Sequence, residues 1–166
     1  VVFDIVGGAA IGLSNQTDVT AIPAFTPTTG SATLTLTPKA NGCTGNSVDF
    51  TITVNPTPVV TPVADFALCN NQVTAPLSFA GTATSYSWTN SNTSMGLIAA
   101  TGSNELPSYT AVNGTGLPIS ATISVIPLFQ NAGVTCTGSQ DQFVITVNPT
   151  PIVNDPQDQV RCNLTQ

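Results

Sequence analysis

Four cysteines are the residues of this chain whose chemistry is easiest to infer. Cys43, Cys69, Cys136 and Cys162 form two pairs with the same spacing of 26 residues. Four thiols can pair in three ways, and disulfides persist in oxidising compartments such as the periplasm or the extracellular space. The chain has no histidine and no Cys-x-x-Cys pair, which disfavours a zinc site. The cysteines therefore indicate disulfides, with four reduced, buried thiols as the alternative.

Carboxylates are the second set of groups that could do chemistry. Without histidine, nucleophilic catalysis of the Ser-His or Cys-His type is excluded. Asp155 and Asp158 are close in sequence, but they lie beside a proline-rich segment and on no recognisable cleft-forming strand. Asp65, Asp155 and Asp158 are weak candidate ligands for calcium at a domain junction, because such sites normally recruit more carboxylates. We expect no catalytic residue, no bound cofactor and a protein that is not an enzyme.

The charge composition excludes several classes of partner. The chain carries two basic and eight acidic residues, a formal net charge of −6. Nucleic-acid binding rests on Lys and Arg that neutralise phosphates, and attraction to anionic lipid needs the same residues. No apolar run approaches the roughly 18–20 residues that span a bilayer, and the start does not resemble a signal peptide. The sequence predicts no nucleic-acid partner and no membrane insertion, and we interpret it as a mature segment or a fragment.

An internal repeat organises the sequence. The stretch NGCTGNSVDFTITVNPTPVV begins at Asn41, and VTCTGSQDQFVITVNPTPIV begins at Val134. Cys43 and Cys136 are 93 residues apart, as are Cys69 and Cys162. Such self-similarity indicates an array of equivalent units. We predict the later part of a first repeat at 1–56, a complete repeat at 57–149, and a linker with the first strand of a third repeat at 150–166.

Period-two alternation dominates both copies and predicts β-strands. In DFTITVN and QFVITVN the apolar residues point to one face and threonines to the other. The complete repeat has predicted strands at Val60–Asp65, Leu77–Ala80, Ser85–Thr89, Leu106–Val112, Ile119–Ile126 and Gln142–Asn148. Short strands separated by turn signals are typical of Ig-like antiparallel β-sandwiches. The predicted core residues are Phe79, Trp88, Tyr109, Ile123, Phe143 and Ile145, and for Trp88 the alternative is a stacking platform for sugar.

The repeated Asn-Pro-Thr-Pro motif predicts short, stiff linkers. Pro56 and Pro58 follow the last strand of the first repeat, and Pro149 and Pro151 follow the last strand of the second. Proline fixes its own φ and favours extended conformations in the residue before it. We therefore expect these linkers to hold successive domains in line, with little contribution to the domain cores.

Strand geometry favours one disulfide pairing. Cys43 precedes the last strand of its repeat, so about seven residues at 3.3 Å each separate it from the next domain. A disulfide requires Cα atoms within about 7 Å, which opposes a Cys43–Cys69 bond. Cys69 lies near the entry of the complete repeat and Cys136 just before its last strand, so we expect Cys69–Cys136. Cys43 and Cys162 would then pair with partners outside this chain.

The segments YSWTNSNTSMGLIAATGSNELPSYTAVN (86–113), ATISVIP and CTGSQDQFVITVNPTP resemble the PKD-like/Ig-like tandem repeats of giant cell-surface adhesins of Bacteroidetes. That family includes gliding-motility adhesins of the SprB type. The resemblance covers essentially the whole chain, although the first copy lacks the Tyr-Ser-Trp-Thr-Asn signature and has Phe3 near the place of Trp88. It implies β-sandwich repeats along a very long filamentous protein, exported by type IX secretion and attached to the outer membrane.

Two functions follow from these observations as expectations. The first is a structural repeat segment of the adhesin, a stiff stalk in surface attachment and gliding motility. Its implied partners are neighbouring repeats, the outer-membrane secretion and motility machinery, and an external surface or polysaccharide. The alternative is a subunit of an extracellular filament that assembles by strand addition between chains, a known mode of recognition.

Overall fold

Nearly all regular structure in the chain is β-strand, as the alternating pattern predicts. A computed structural model describes residues 1–162, so the predicted third-repeat segment 150–166 is described only in part. Within residues 1–162 the regular elements are thirteen strands and two short 3₁₀ helices, Gly8–Ile11 and Thr93–Met95. The strands are β1 (Val2–Val6), β2 (Gln16–Val19), β3 (Gly30–Ala40), β4 (Cys43–Thr44), β5 (Val48–Val54), β6 (Phe66–Cys69), β7 (Leu77–Ser78), β8 (Ser85–Asn90), β9 (Thr101–Ser103), β10 (Glu105–Leu106), β11 (Ile119–Asn131), β12 (Val134–Thr137) and β13 (Asp141–Asn148).

The first of two compact units comprises Val1–Thr61, Ala80–Tyr86 and Ile126–Gln140. Its five-stranded antiparallel sheet has the order β2-β1-β3-β4, and β5 also pairs with β3. Apolar residues of β1, of β3 and of the segment after β1 form a buried cluster, because their side chains point to one face of this sheet. The cluster consists of Ile5, Ile11, Leu13, Ala32 and Leu34.

The second unit comprises Pro62–Phe79, Ser87–Val125 and Asp141–Gln166. Most of its strands belong to a six-stranded sheet of order β6-β13-β11-β8-β9, in which β12 pairs with the distal end of β11. A two-stranded sheet of β10 and β7 supplies further buried residues. The core is all-β and sandwich-like, as predicted, and includes Phe79, Trp88, Leu106, Ile123, Phe143 and Ile145.

The two sequence copies form the same strand ladder. β3 pairs with β1, β4 and β5, and β11 pairs with β8, β12 and β13. Ala32 lies opposite Ile52, and their repeat counterparts Ala121 and Ile145 also lie opposite each other. On the outer face, hydroxyl groups pair at Ser31–Thr53 (3.1 Å) and Ser120–Thr146 (3.0 Å). The register is conserved between the copies because the same side of each strand is apolar in both.

The entry into the complete repeat differs from the prediction. Val60 forms only an isolated bridge to Gly81, and the first regular strand is β6, not Val60–Asp65. β6 runs parallel to β13, with Cys69 opposite Asn148. Alternation could not reveal this direction, because parallel and antiparallel edge strands bury side chains with the same period of two. Tyr109, predicted to be core, is half-buried.

Candidate functional site

The cysteines are free, and the predicted Cys69–Cys136 disulfide is wrong. Cys69 lies opposite Asn148, the last residue of β13, whereas Cys136 precedes β13 and lies opposite Phe129. The prediction placed Cys69 at the pole of the repeat where the last strand begins, beside Cys136, but Cys69 is the last residue of β6. Parallel pairing instead carries Cys69 to the end of β13, away from β12. Cys43 and Cys162 are both exposed, and their pairing outside this chain stays a prediction.

The acidic residues proposed as calcium ligands are not brought together. The carboxylate of Asp65 accepts a hydrogen bond of 2.7 Å from the backbone N–H of Val144 and so ties the entry segment to β13. Asp155 and Asp158 are exposed and lie outside the regular strands. Within residues 1–162, no three His, Cys, Asp or Glu side chains are placed to hold a metal ion. Asp65 therefore has a structural role in this chain, as a hydrogen-bond acceptor.

One ionic network lies on the sheet of the first unit. The Lys39 ammonium is 2.7 Å from Asp4 Oδ2 and 3.4 Å from Asp18 Oδ1. The hydrogen bond from Lys39, supported by one from the backbone N–H of Asp18, holds the pKa of Asp4 below its usual value. The hydrogen bond to Asp4 raises the pKa of Lys39. The network therefore keeps Lys39 protonated, and it ties β1 to β3 and β2.

Trp88 is a core residue and not an exposed platform for sugar. Its side chain is 3% exposed, and its indole Nε1–H donates a hydrogen bond of 2.9 Å to the carbonyl of Glu105. Gly102 lies directly opposite in β9, where a Cβ would overlap the indole ring. The missing side chain at position 102 therefore makes room for the indole, as the core prediction for Trp88 requires.

The first proline linker is built into the fold rather than free. Pro58 is among the fully buried side chains, with less than 2% of its surface exposed. The next residue, Val59, is bonded in both directions to Thr82: its N–H donates to Thr82 Oγ1, and its carbonyl accepts from the Thr82 N–H, each at 3.0 Å. Asn131 Nδ2 donates to Asn55 Oδ1 at 2.8 Å. The expectation that the linker contributes little to the core is wrong for Pro58.

The buried linker packs against Gly138. A Cβ at Gly138 would overlap the carbonyl oxygen of Pro58 and would lie 2.9 Å from the Pro127 ring. The Gly138 N–H donates to the Pro127 carbonyl at 3.0 Å, which fixes the glycine beside that proline. Position 138 must therefore lack a side chain, since any larger residue would displace Pro58. Sequence reasoning missed this residue, although the glycine recurs in both Cys-Thr-Gly motifs and was a usable signal.

Pro38 and Gly45 of the first copy are the sequence counterparts of Pro127 and Gly138. Gly45 N–H donates to the Pro38 carbonyl at 2.9 Å, as Gly138 does to Pro127. A Cβ at Gly45 would lie 3.0 Å from the Pro38 ring, and no carbonyl comparable to that of Pro58 approaches it. A cleft of about 350 Å³ opens here, lined in part by Pro38, Ala40, Cys43 and Gly45. We call these four residues the Pro38–Gly45 cleft.

The second proline linker differs from the first: among the described residues, Pro151 is not packed as Pro58 is against Gly138 and Pro127. Pro149 is half-buried and Pro151, the counterpart of Pro58, is exposed. Ile152 and Val153 are 89% and 90% exposed, whereas their counterparts Val59 and Val60 engage Thr82 and Gly81. Pro58 and Pro151 therefore differ in burial although the sequences around them are nearly identical.

The outer edge of β5 also differs from its counterpart. β13 lies between β11 and β6, but among residues 1–162 the only strand that pairs with β5 is β3. The three inward residues of β13 (Phe143, Ile145 and Val147) are at most 1% exposed. Their counterparts on β5 (Phe50, Ile52 and Val54) are only half-buried. Among the described residues, the outer edge of β5 therefore pairs with no further strand, and the inner face of β5 is less buried than that of β13.

Comparisons with known proteins leave the family undetermined. No protein-family model matches the chain, and no curated protein matches it either. Within residues 1–162, no helix has the length and apolar character needed to cross a membrane.

Proposed function

We propose that the chain is a non-enzymatic repeat segment of a large filamentous cell-surface adhesin, where it acts as a stiff stalk in surface attachment and gliding motility. The observation that carries this proposal is the repeated ladder, in which Ala32–Ile52 and Ala121–Ile145 keep the same register. A stalk needs many equivalent units that each fold with their neighbours, and a repeated unit of about ninety residues provides this. The resemblance of the sequence motifs to Bacteroidetes adhesins supplies the biological setting.

The buried linker supports the mechanical part of this proposal. A linker that is free in solution resists bending only through its own stiffness. Pro58 instead loses nearly all its exposed surface, and Asn55 is hydrogen-bonded to Asn131. Bending at this point must break packing and hydrogen bonds as well as rotate backbone dihedrals. This is how the segment would transmit tension without folding back on itself.

The surface location can be tested directly in the bacterium that carries the gene. Antibodies against residues 57–149 should label intact cells, and external protease should remove the label. A deletion of the repeat-coding region should reduce attachment to glass and the speed of gliding, while growth in suspension stays normal. Antibodies against a cytoplasmic protein serve as the control. Labelling that requires permeabilised cells would contradict the proposal.

The second candidate function is an extracellular filament subunit that assembles by strand addition. The observation that favours it is the unpaired edge of β5, beside the half-buried Phe50, Ile52 and Val54. The parallel β6–β13 pair shows which geometry an added strand would take. A Thr51→Pro variant, which removes a backbone donor from the middle of β5, should then block filament growth. Electron microscopy of the variant and the unmodified chain distinguishes this candidate from the stalk.

A further inference from the structure

The complete repeat has an apolar groove beside the loop that follows β8. All residues that line it lie between positions 96 and 112, within the second unit. Its volume of about 410 Å³ falls within the range of about 300–1,000 Å³ found for binding clefts. The larger apolar side chains of the lining belong to Leu97, Ile98, Pro107, Tyr109 and Val112. We call these five residues the Tyr109 groove.

The lining of the groove, all of it among the described residues, carries no charged side chain. Tyr109 is its one ionisable residue, and burial raises the pKa of this phenol, which therefore stays neutral. The Tyr109 hydroxyl is itself buried, so this residue adds no exposed polar side-chain atom. A partner of the groove must present an apolar group, because the burial of an unpaired charge or polar group is unfavourable.

The Ile98 side chain is an apolar group of this kind at the rim of the same groove. It is 86% exposed, whereas its neighbour Leu97 is 1% exposed and packed into the repeat. The surface therefore combines a projecting aliphatic side chain with an apolar depression. Such a surface is complementary to itself, because two copies related by a twofold axis can each insert Ile98 into the groove of the other.

The fold of the loop does not require an isoleucine at position 98. The first copy contains the same loop 84 residues earlier, with Gly12 in the place of Gly96. Both glycines have positive φ, 86° and 103°. In both copies a Cβ at the glycine would overlap the carbonyl of the threonine that lies 14 residues later. The two loops therefore share one backbone conformation.

The apolar residues at the rim are specific to the complete repeat. Ile98 and Val112 correspond to Ser14 and Thr28 in the first copy, again 84 residues earlier. Ser14 and Thr28 are exposed. The loop thus keeps its conformation with polar residues at these positions. Ile98 and Val112 therefore add an apolar surface that folding does not need.

The exposure of this position does not depend on where the sequence begins or ends. Ile98 is exposed in a copy that follows another repeat, and Ser14 is exposed in a copy that precedes one. The chain thus contains both kinds of neighbour, and the position is exposed in each case. Exposure here is a property of the repeat itself.

We propose that two copies of this chain associate through the Tyr109 groove, with Ile98 of each copy inserted into the groove of the other. The contact uses the same surface on both copies, so it closes at the dimer. Both surfaces are uncharged, and the contact therefore brings no like charges together although each copy has a net charge of −6. The inference goes beyond the proposed stalk, because it assigns a recognition surface that acts between separate chains.

The dimer should be weak. Each copy contributes one projecting side chain and the rim of one groove, far less than half of a standard interface of about 1,600 Å². We therefore expect a dissociation constant of about 0.1–1 mM, in the range of transient contacts. Several such contacts in parallel would strengthen the association of longer chains with repeats of this kind.

Sedimentation equilibrium of the 166-residue chain tests the proposal. The average mass should rise with concentration up to about 1 mM, from 16.9 kDa towards twice that mass and no further. Ile98→Ser/Val112→Thr installs the residues of the first copy and should weaken association at least about tenfold, because the contact loses its aliphatic groups. Ile98→Asp places a carboxylate in the contact and should also be monomeric. Val134→Ser, at a residue of the first unit that is 58% exposed, is the matched control and should dimerise like the unmodified chain.

Amide chemical shifts locate the contact. On dilution of the isotope-labelled chain from about 1 mM to about 0.05 mM, a range that spans the expected dissociation constant, resonances should move at residues 96–99 and 107–112. The same resonances should stay in place on dilution of Ile98→Ser/Val112→Thr. Strand addition at β5 would instead move the amides of residues 48–54. Unfolding followed through Trp88 fluorescence verifies that every variant is folded.

Several outcomes would overturn the inference. They are an unmodified chain that is monomeric at about 1 mM, association that Ile98→Ser/Val112→Thr leaves unchanged, and dilution shifts that lie outside the groove. Assemblies larger than a dimer would contradict the closed contact, and an equal loss in Val134→Ser would mean that any exposed apolar residue contributes. Surface labelling of cells, which tests the stalk, does not depend on any of these results.

Discussion

The carbonyl oxygen of Pro58 lies so close to Gly138 that no side chain fits at position 138. This contact joins a linker proline to a glycine 80 positions later in the sequence. It turns a segment predicted to be an independent spacer into part of a folded unit. The mechanical behaviour of the linker therefore depends on packing, and proline stiffness is only one contribution.

Gly138→Ala should destabilise the protein. The new methyl group would overlap Pro58 and would force the linker or the segment between β12 and β13 to move, a change that costs about 1–3 kcal/mol in tightly packed sites. Denaturant unfolding monitored through Trp88 fluorescence gives the free energy. Gly116→Ala has open space around it and should change the free energy of unfolding by less than about 0.5 kcal/mol. Equal effects of the two substitutions would contradict the role of the Pro58–Gly138 contact.

Pro58→Gly and Pro151→Gly form a matched pair at equivalent repeat positions. Pro58 is buried and Pro151 is exposed, so only the first substitution removes packed surface. We expect Pro58→Gly to lower the free energy of unfolding by about 1–3 kcal/mol, from lost burial and from greater freedom of the unfolded chain. Pro151→Gly should leave thermal unfolding almost unchanged.

The double variant Pro56→Gly/Pro58→Gly should lose extension in small-angle scattering. An unchanged scattering profile would mean that direct contacts between domains, and not the prolines, set the angle between them.

Asp65→Ala should destabilise the entry strand, whereas Asp158→Ala should not. The two residues are repeat equivalents, but only Asp65 has a described hydrogen bond, to the backbone N–H of Val144 at 2.7 Å. We expect a loss of about 1 kcal/mol, at the low end for a bond to a charged group because the site is exposed to water. Hydrogen exchange should also accelerate at the Val144 amide. Unchanged exchange at that amide in Asp65→Ala would count against this assignment.

The Lys39 network should make the folding stability of the protein depend on pH. The pKa of Asp4 lies below its usual 3.8, so its contribution is present above about pH 4 and is lost as the pH falls through the lowered value. The pKa of Lys39 is raised above its usual 10.5, so its contribution is present below that value and is lost only at higher pH. Lys39→Gln should therefore lower the melting temperature at neutral pH and have little effect near about pH 2. Arg161→Gln is the control cation, and a similar pH profile for both variants would refute the prediction.

Reduction should not change the melting temperature of the isolated chain. All four cysteines are free, so dithiothreitol has no intramolecular disulfide to break. A Cys69–Cys136 bond would close a loop of 67 residues, and its loss would cost roughly 4 kcal/mol. A clear drop in melting temperature on reduction, absent from the Cys69→Ser/Cys136→Ser variant, would restore the discarded pairing.

The amino-acid sequence alone determined the strands with a strong period of two and the faces that they bury. Phe143, Ile145 and Trp88 are core residues as predicted, because alternation records which side of a strand avoids water. The internal repeat is also evident from the sequence alone, since Cys43 and Cys136 are 93 residues apart, as are Cys69 and Cys162. These properties are local, or they follow from comparing one stretch of sequence with another.

Only the tertiary structure decided the direction of β6, the state of the cysteines and the burial of Pro58. Each depends on which distant segment becomes a neighbour: Asn148 beside Cys69, and Gly138 beside Pro58. The pairs Pro58 and Pro151, and Asp65 and Asp158, have the same residue types at equivalent positions but different environments. Burial and hydrogen bonding depend on the neighbouring segments as well as on residue type. Two nearly identical segments can therefore have different structural roles.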